Sequence, residues 1–322
     1  MRVLVTGGAG FIGSNFVKSC LQGAFEKVSE VVVLDSLTYA GNLENFSPAE
    51  RSQFRFIQGD ICDPFLLETL IPSVDAVINF AAESHVDRSI LDSNSFMRTN
   101  AMGVLNLLEV IRRHPTVRLL QVSTDEVYGS IKEGSWIESD PLLPNSPYSA
   151  SKASGELLVR SYVRTHGLDC IITRSSNNYG NNHYPEKLIP LFITNLIEGK
   201  KVPIYGSGQN VRDWLHVDDH CLGIYLALSK GISGEIYNIG GGTELSNIEI
   251  TEKILGHFSK SMDSIDFVAD RLGHDFRYSV DWRKARNELG YSPKVAFEDG
   301  LKETVHWYQS NPQWWKPLKQ KT

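Results

Sequence analysis

Several things are scarce in this chain of 322 residues. There are four cysteines, Cys20, Cys62, Cys170 and Cys221, and no two stand at Cys-x-x-Cys spacing. The scatter reads as small core thiols in a reducing compartment and implies neither a disulfide framework nor a structural zinc. No apolar run approaches the roughly 20 residues of a membrane span. The first strand begins at once, which leaves no room for a signal peptide. The expectation is a cytoplasmic protein with no membrane partner. Positive charge is not in excess either: 32 Lys and Arg against 38 Asp and Glu give a net charge of −6. That argues against nucleic acid as a partner. A phosphate-rich ligand would have to be gripped by local cations and backbone N–H groups. Internal repeats and low-complexity segments are absent as well.

What the chain does have begins at its N-terminus. An apolar run at 1–6 leads into Gly7-Gly8-Ala9-Gly10-Phe11-Ile12-Gly13, and a helix-compatible stretch follows. Glycines at this spacing allow a tight turn, close approach of the backbone to a pyrophosphate, and close helix–strand packing, with the phosphates on the helix N-terminus. A second apolar run, Val31-Val32-Val33-Leu34, ends in Asp35, 22 residues after Gly13. An acid there holds a ribose 2′-hydroxyl and repels a 2′-phosphate, so the cofactor expected is NAD rather than NADP.

The strand–helix rhythm continues. Residues 54–60 read as a strand whose terminal Asp60 either faces an adenine or caps the helix before Pro64. Residues 76–80 form a buried strand running into Ala81 and Ala82, residues 96–113 a long helix, and 118–123 the next strand. This alternation predicts an α/β fold of Rossmann type, a doubly wound parallel sheet with a smaller mixed α/β C-terminal domain. The expected division is 1–178 for the dinucleotide and 179–322 for the substrate, with the chain returning to the first domain around 211–240. Gly7, Asp35, Asp60, Ala81 and Thr124 all fall at strand carboxyl ends, the ligand edge of such a sheet.

Two further segments carry chemistry. Tyr148 and Lys152 are four residues apart, one turn along a helix face. An ammonium there would favour the phenolate and fit Tyr148 to take a proton from an alcohol. Upstream stand two adjacent carboxylates, Asp125 and Glu126, which look like a second acid/base station and hence a second chemical step. Neighbours on an extended strand point to opposite faces. The strand is therefore expected to end near Ser123 and turn helical or looped by Asp125, with the two carboxyl pKa values pushed apart. His85, His216 and His274 show no metal-ligand spacing, and no metal is expected.

These motifs resemble the extended short-chain dehydrogenase/reductase family. Ala81-Ala82-Glu83-Ser84-His85-Val86-Asp87-Arg88-Ser89, Thr124-Asp125-Glu126 and Arg271-x-Gly273-His274-Asp275-x-Arg277-Tyr278 are similar to its dTDP-glucose 4,6-dehydratase branch. One departure is Asn181, where a proline usually follows Asn-Asn-Tyr-Gly. The resemblance implies catalysis by Thr124, Asp125, Glu126, Tyr148 and Lys152, with Asp125 as neutral acid and Glu126 as base. It implies NAD contacts at Gly7, Gly10, Phe11, Ile12, Gly13, Asp35, Ser36, Leu37, Thr38, Asp60 and Ile61. Further cofactor contacts are implied at Phe80, Ala81, Ala82, Ser84, Thr99, Ser123, Tyr148, Lys152 and Asn178. A dTDP-glucose substrate would meet Ser84, Thr124, Asn177, Lys187, Leu188, Pro203, Ile204, Tyr205, Arg212, Asn247, Arg271, His274 and Tyr278. Guanidinium forks at Arg212 and Arg271 suit a diphosphate. A homodimer is implied through the helices that carry Leu157 and Met102. A 4-epimerase would share the steps as far as a 4-ketone but has no departing hydroxyl to protonate.

Overall fold

A computed structural model describes residues 1–320. The strands are β1 (Arg2–Thr6), β2 (Glu30–Asp35), β3 (Arg55–Gln58), β4 (Ala76–Asn79), β5 (Arg118–Thr124), β6 (Cys170–Ser175), β7 (Asn177–Tyr179), β8 (Val202–Tyr205), β9 (Val211–His216), β10 (Ile236–Ile239), β11 (Glu244–Ser246) and β12 (Ile265–Val268). Seven of them form one parallel sheet in the order β10-β6-β5-β4-β1-β2-β3. Alternate side chains feed opposite faces, so Val3 and Val5 join one core while Leu4 joins the other. Helices Phe11–Leu21 and Val217–Lys230 cover the first face, and Pro64–Leu70 and Val104–Arg113 the second. Being buried on both faces is what makes these strands read as continuous apolar runs.

The strand order reverses between β1 and β4, and a crevice opens there at their carboxyl ends. The Gly7 turn and the Ala81 segment meet across it. Gly7 sits at φ +67°, and a Cβ on it would lie 2.5 Å from the Ala81 nitrogen. Only glycine fits.

The remaining strands form two small sheets, β11-β9-β7 and β12-β8. They pack with helices Leu188–Ile197, Asn247–His257 and Phe297–Ser310 on a third apolar cluster that includes Phe192, Trp214, Ile254 and Trp315. β9 belongs to a small sheet, and the chain rejoins the large sheet through helix Val217–Lys230 and β10. The helix read over 96–113 is interrupted by a π-helical turn, Arg98–Gly103. Inside it, the Asn100 amide donates to the Glu83 carbonyl (2.9 Å) and Ser151 Oγ (2.8 Å) and accepts from the Glu83 N–H (2.9 Å). That tether ties the loop after β4 to the next long helix, a common reason for a π turn beside a site.

That long helix, Pro147–His166, carries Tyr148 and Lys152. Ser146 and Ser149 form its capping box, Pro147 occupies the first turn, and Gly167 in the left-handed region ends it.

Candidate active site

A cleft of about 580 Å³ runs along the carboxyl edge of the large sheet. It collects Gly7, Gly10, Phe11, Ile12, Gly13, Asp35, Ser36, Thr38, Asp60, Ile61, Phe80, Ala81, Ala82, Ser84, Thr99, Ser123 and Asn178 on one stretch of wall. Thr124, Asp125, Glu126, Tyr148, Lys152, Asn177, Lys187 and Leu188 line the rest.

Several features of the first stretch fit a dinucleotide. A Cβ on Gly13 would lie 2.4 Å from the Gly7 carbonyl oxygen, so the turn can close only on bare backbone. The Asp35 carboxylate accepts from the N–H groups of Ala9 (2.9 Å) and Leu37 (2.8 Å), which fix it at the end of β2. Gly41 leaves room beside it, where a Cβ would lie 2.6 Å from Asp35 Oδ1. Ser123 Oγ and Asn177 Oδ1 are buried with no hydrogen-bond partner. The Lys152 ammonium donates to the Val122 carbonyl (2.7 Å). An ammonium has three donors, so this one can also hold ribose hydroxyls.

Asp60 does not cap the following helix; Asp63 does. Asp60 instead accepts from the Cys62 N–H (2.9 Å) and from Arg98 Nη2 (2.9 Å).

β5 ends at Thr124, and a 3₁₀ turn, Asp125–Tyr128, starts at the next residue. Thr124 Oγ1 caps that turn by accepting from the Glu126 N–H (3.3 Å) and donates to Asp125 Oδ1 (3.2 Å). The change of backbone lets both carboxyl groups face one cleft, which a continuing strand would forbid. Their environments differ. Burial and the nearby Glu126 and Asp213 carboxylates push Asp125 well above the usual range. Burial also raises Glu126, but the charges of Arg212, Arg271 and Lys187 oppose it. One group is suited to stay a neutral acid and the other to be a carboxylate.

Tyr148 behaves differently from the reading of its spacing. Burial and the Glu126 charge push its pKa up, and the opposing influence is a hydrogen bond with the Thr124 side chain, not the Lys152 charge. Burial has lowered Lys152 itself to about 8, against the raising influence of Glu156.

Other expected contacts lie outside the cleft wall. Leu37 stands at φ +53° and offers Asp35 only its N–H. Pro203 and Ile204 sit in β8, and the Ile204 side chain is buried in the third apolar cluster. Asn247 is buried at a helix start, its N–H donating to the Asn210 carbonyl (2.9 Å). Arg212 spends donors on the Val211, Asp275 and Phe276 carbonyls and lies 4.4 Å from the Tyr278 ring centroid. Its fork is therefore only partly free. Arg271 reaches Asp87 (3.6 Å), to which Tyr205 also donates (3.3 Å). His274 pairs with Asp270 (2.7 Å).

Two residues of the cleft wall to which the sequence assigns no role, Tyr39 and Glu186, meet at Arg88. The Arg88 guanidinium stacks 3.9 Å over the Tyr39 ring and pairs with Glu186 (3.1 Å), and the neighbouring Lys187 donates to the Ser84 carbonyl (2.8 Å). Arg88 lies inside the Ala81–Ser89 segment, but its meeting with Tyr39 and Glu186 depends on segments far apart in the chain.

The family model for GDP-mannose 4,6 dehydratase matches residues 4–304. A dTDP-glucose 4,6-dehydratase of Streptomyces niveus is 56% identical over 322 residues, 99% of this chain and 96% of the relative. The crystal structure of a dTDP-glucose 4,6-dehydratase of Streptomyces venezuelae, with NAD and a second ligand bound, superimposes with a TM-score of 0.97 at 56% identity, covering 99% of this chain and 100% of that one. A UDP-glucuronic acid 4-epimerase of Bacillus cereus, also with NAD, gives 0.89 at 31% identity, covering 96% and 99%. On these matches and the glycine turn, Asp35 and paired carboxylates of its cleft, this chain belongs to the NAD-binding nucleotide-sugar 4,6-dehydratases, in the dTDP-glucose 4,6-dehydratase family.

Proposed function

We propose that the protein is a hydro-lyase that converts dTDP-glucose to dTDP-4-keto-6-deoxyglucose. The observation that carries this reading is the Asp125–Glu126 pair, a buried and a half-buried carboxyl group that face one cleft with Tyr148 in different electrostatic surroundings. Gly7 and Gly13 would cradle the NAD pyrophosphate, Asp35 the adenosine ribose, and Ser123 and Lys152 the nicotinamide half. The chemistry NAD would supply when bound is reversible hydride transfer, taken from C4 first and given back to C6 last.

The side chains do the rest. Tyr148 takes the O4 proton while Thr124 holds that oxygen. The resulting 4-ketone acidifies C5, and Glu126 removes the C5 proton. Asp125, kept neutral by its burial, protonates the departing 6-hydroxyl as water. Glu126 then returns a proton to C5. An epimerase has no use for Asp125 in that role. Incubation with dTDP-glucose, followed by proton NMR, should show a C6 methyl doublet and loss of the C6 methylene. An altered C4 configuration with C6 intact would instead make it an epimerase.

A homodimer would draw on the exposed part of the two helices that carry Leu157 and Met102. Leu108, Val110 and Val159 are buried in the protomer core, and Met102 and Leu157 remain exposed, with Met97 nearby in the chain. These three support pairing of the two helices with their copies. A monomeric mass at micromolar concentration would refute it. The four cysteines are free, and among the described residues no helix is long and apolar enough to cross a membrane. Both support a cytoplasmic site of action.

A further inference from the structure

His220 stands in the first turn of helix Val217–Lys230, and its side chain is fully buried. Its Nδ1 lies 2.9 Å from Oδ1 of Asn178, in β7, while its Nε2 is buried with no hydrogen-bond partner. The one polar contact of this buried ring is therefore with a side chain of the cleft wall. Nothing in the steps at C4, C5 and C6 uses either residue.

The neighbours dictate where the protons sit. A peptide carbonyl only accepts, so Asn178 turns Nδ2 toward the Ser176 carbonyl (2.9 Å). Oδ1 is then the end that faces His220, and an amide oxygen also only accepts. His220 must carry its proton on Nδ1 and donate it. Burial pushes the ring's pKa down to about 3, so the imidazole is neutral and Nε2 has no proton to strand. Tied at both ends, the Asn178 amide is fixed in its plane. Nδ2 bears two protons, and one of them is left over. The sheet tells what that proton can meet. Asp35 and Ser123 end strands on opposite sides of β1, whose Gly7 turn lies between them. A dinucleotide with its pyrophosphate at that turn and its adenosine ribose at Asp35 sends its nicotinamide toward β5 and β6. β7 begins just beyond the end of β6, so Asn178 stands on the nicotinamide side of the cleft. A nicotinamide carries a carboxamide, and its oxygen is an acceptor that matches the spare N–H.

We propose that His220 is a positioning residue for the cofactor: its Nδ1–H holds Asn178 so that one amide proton is presented to the carboxamide oxygen of the nicotinamide. Holding that oxygen restricts rotation of the ring about its bond to the ribose, and so fixes which ring face meets the sugar. Without His220 the Asn178 oxygen loses its donor, and the amide is free to turn away from the cleft.

The proposal rests on the NAD-dependent dehydratase reading, and its test separates the two. Two probes are titrated into NAD-free full-length protein: NAD, and ADP-ribose, which lacks only the nicotinamide. His220→Leu removes the donor; His220→Asn keeps an N–H near the place of Nδ1. His220→Leu should weaken NAD about tenfold, the worth of one well-placed hydrogen bond, and leave ADP-ribose within about twofold of wild type. His220→Asn should recover most of the NAD affinity. A merely structural histidine would weaken both probes together. Equal loss of NAD and ADP-ribose in His220→Leu, or loss of neither, would therefore overturn the proposal. If His220→Leu does not fold, wild-type holoenzyme decides. Nitrogen-15 spectra of its labelled histidines should contain a ring protonated at Nδ1 alone that does not titrate between about pH 5 and 9. Absence of any such ring would overturn the proposal. Wild-type protein that forms no 4-keto product from dTDP-glucose would overturn the dehydratase reading instead, and the comparison of NAD with ADP-ribose would still stand.

Discussion

Arg174 and Glu156 form the most deeply buried ion pair among the described residues, with side chains 4% and 2% exposed. Arg174 Nε and Nη2 both donate to Glu156 Oε2, at 2.9 and 2.6 Å, and Nη1 donates to the Tyr128 hydroxyl (2.6 Å). Tyr128 in turn donates to Asn238 Oδ1 (2.9 Å). The pair therefore joins the helix of Tyr148 and Lys152 to β6, β10 and the turn of Asp125 and Glu126. Arg174→Met fills much of the space but strips the buried Glu156 charge of its hydrogen-bonded partner, leaving only the more distant Lys152 charge to oppose its desolvation. Breaking a buried pair from one side costs about 3–5 kcal/mol, because desolvation of the remaining charge is no longer offset. Against a typical total of about 5–15 kcal/mol that is a large fraction. Removing both charges, in Arg174→Met with Glu156→Leu, should recover most of the loss, to within about 1 kcal/mol of wild type. Tyr128 keeps its bond to Asn238 in both variants. Urea unfolding followed by far-ultraviolet circular dichroism, at one fixed protein concentration, reads both numbers. A double variant as unstable as Arg174→Met would refute the reasoning, since the loss would then come from packing and not from a stranded charge.

Asp35→Ala removes the ribose acceptor and should weaken NAD binding while narrowing its preference over NADP; titration with both cofactors checks this, and wild-type preference for NADP would contradict it. Glu126→Gln should still oxidise C4 but stall there, so absorbance of bound NADH at 340 nm should accumulate. Asp125→Asn should slow water loss and be partly rescued by a 6-fluoro substrate, and the opposite pattern of rescue would exchange the two roles. Lys152→Met should abolish activity yet raise the stability of NAD-free protein, because burial lowers the Lys152 pKa from 10.5 to about 8, which corresponds to about 3 kcal/mol. The native state resists that proton more than the unfolded chain does. The gain should therefore be full below pH 8 and fade as pH rises toward 10.5; a gain that grows with pH would contradict it.

Local features were legible in the sequence. The glycine turn, Asp35 at the end of its apolar run and the end of β5 at Thr124 depend on neighbours along the chain, and short-range rules describe them. What escaped depends on contacts between distant segments. Nothing near Arg98–Gly103 announces a π turn, because its cause is Asn100 meeting Glu83 and Ser151. The Tyr39–Arg88–Glu186 cluster unites two loops and the short helix Val86–Leu91. Spacing placed Tyr148 and Lys152 on one face, but only burial shows that the Lys152 charge is weakened and that Thr124 is the group opposing the rise of Tyr148. Arg212 shows the same limit: a guanidinium free on paper is partly occupied by backbone carbonyls.

The central claim is that oxidation at C4 and reduction at C6 are two halves of one turnover in one cleft. The most direct measurement is incubation with dTDP-glucose deuterated at C4, in ordinary water, followed by NMR or mass analysis of the product. The account predicts that the deuterium appears in the C6 methyl group of the 4-keto product. Deuterium retained at C4, or lost to solvent with no label at C6, would contradict it.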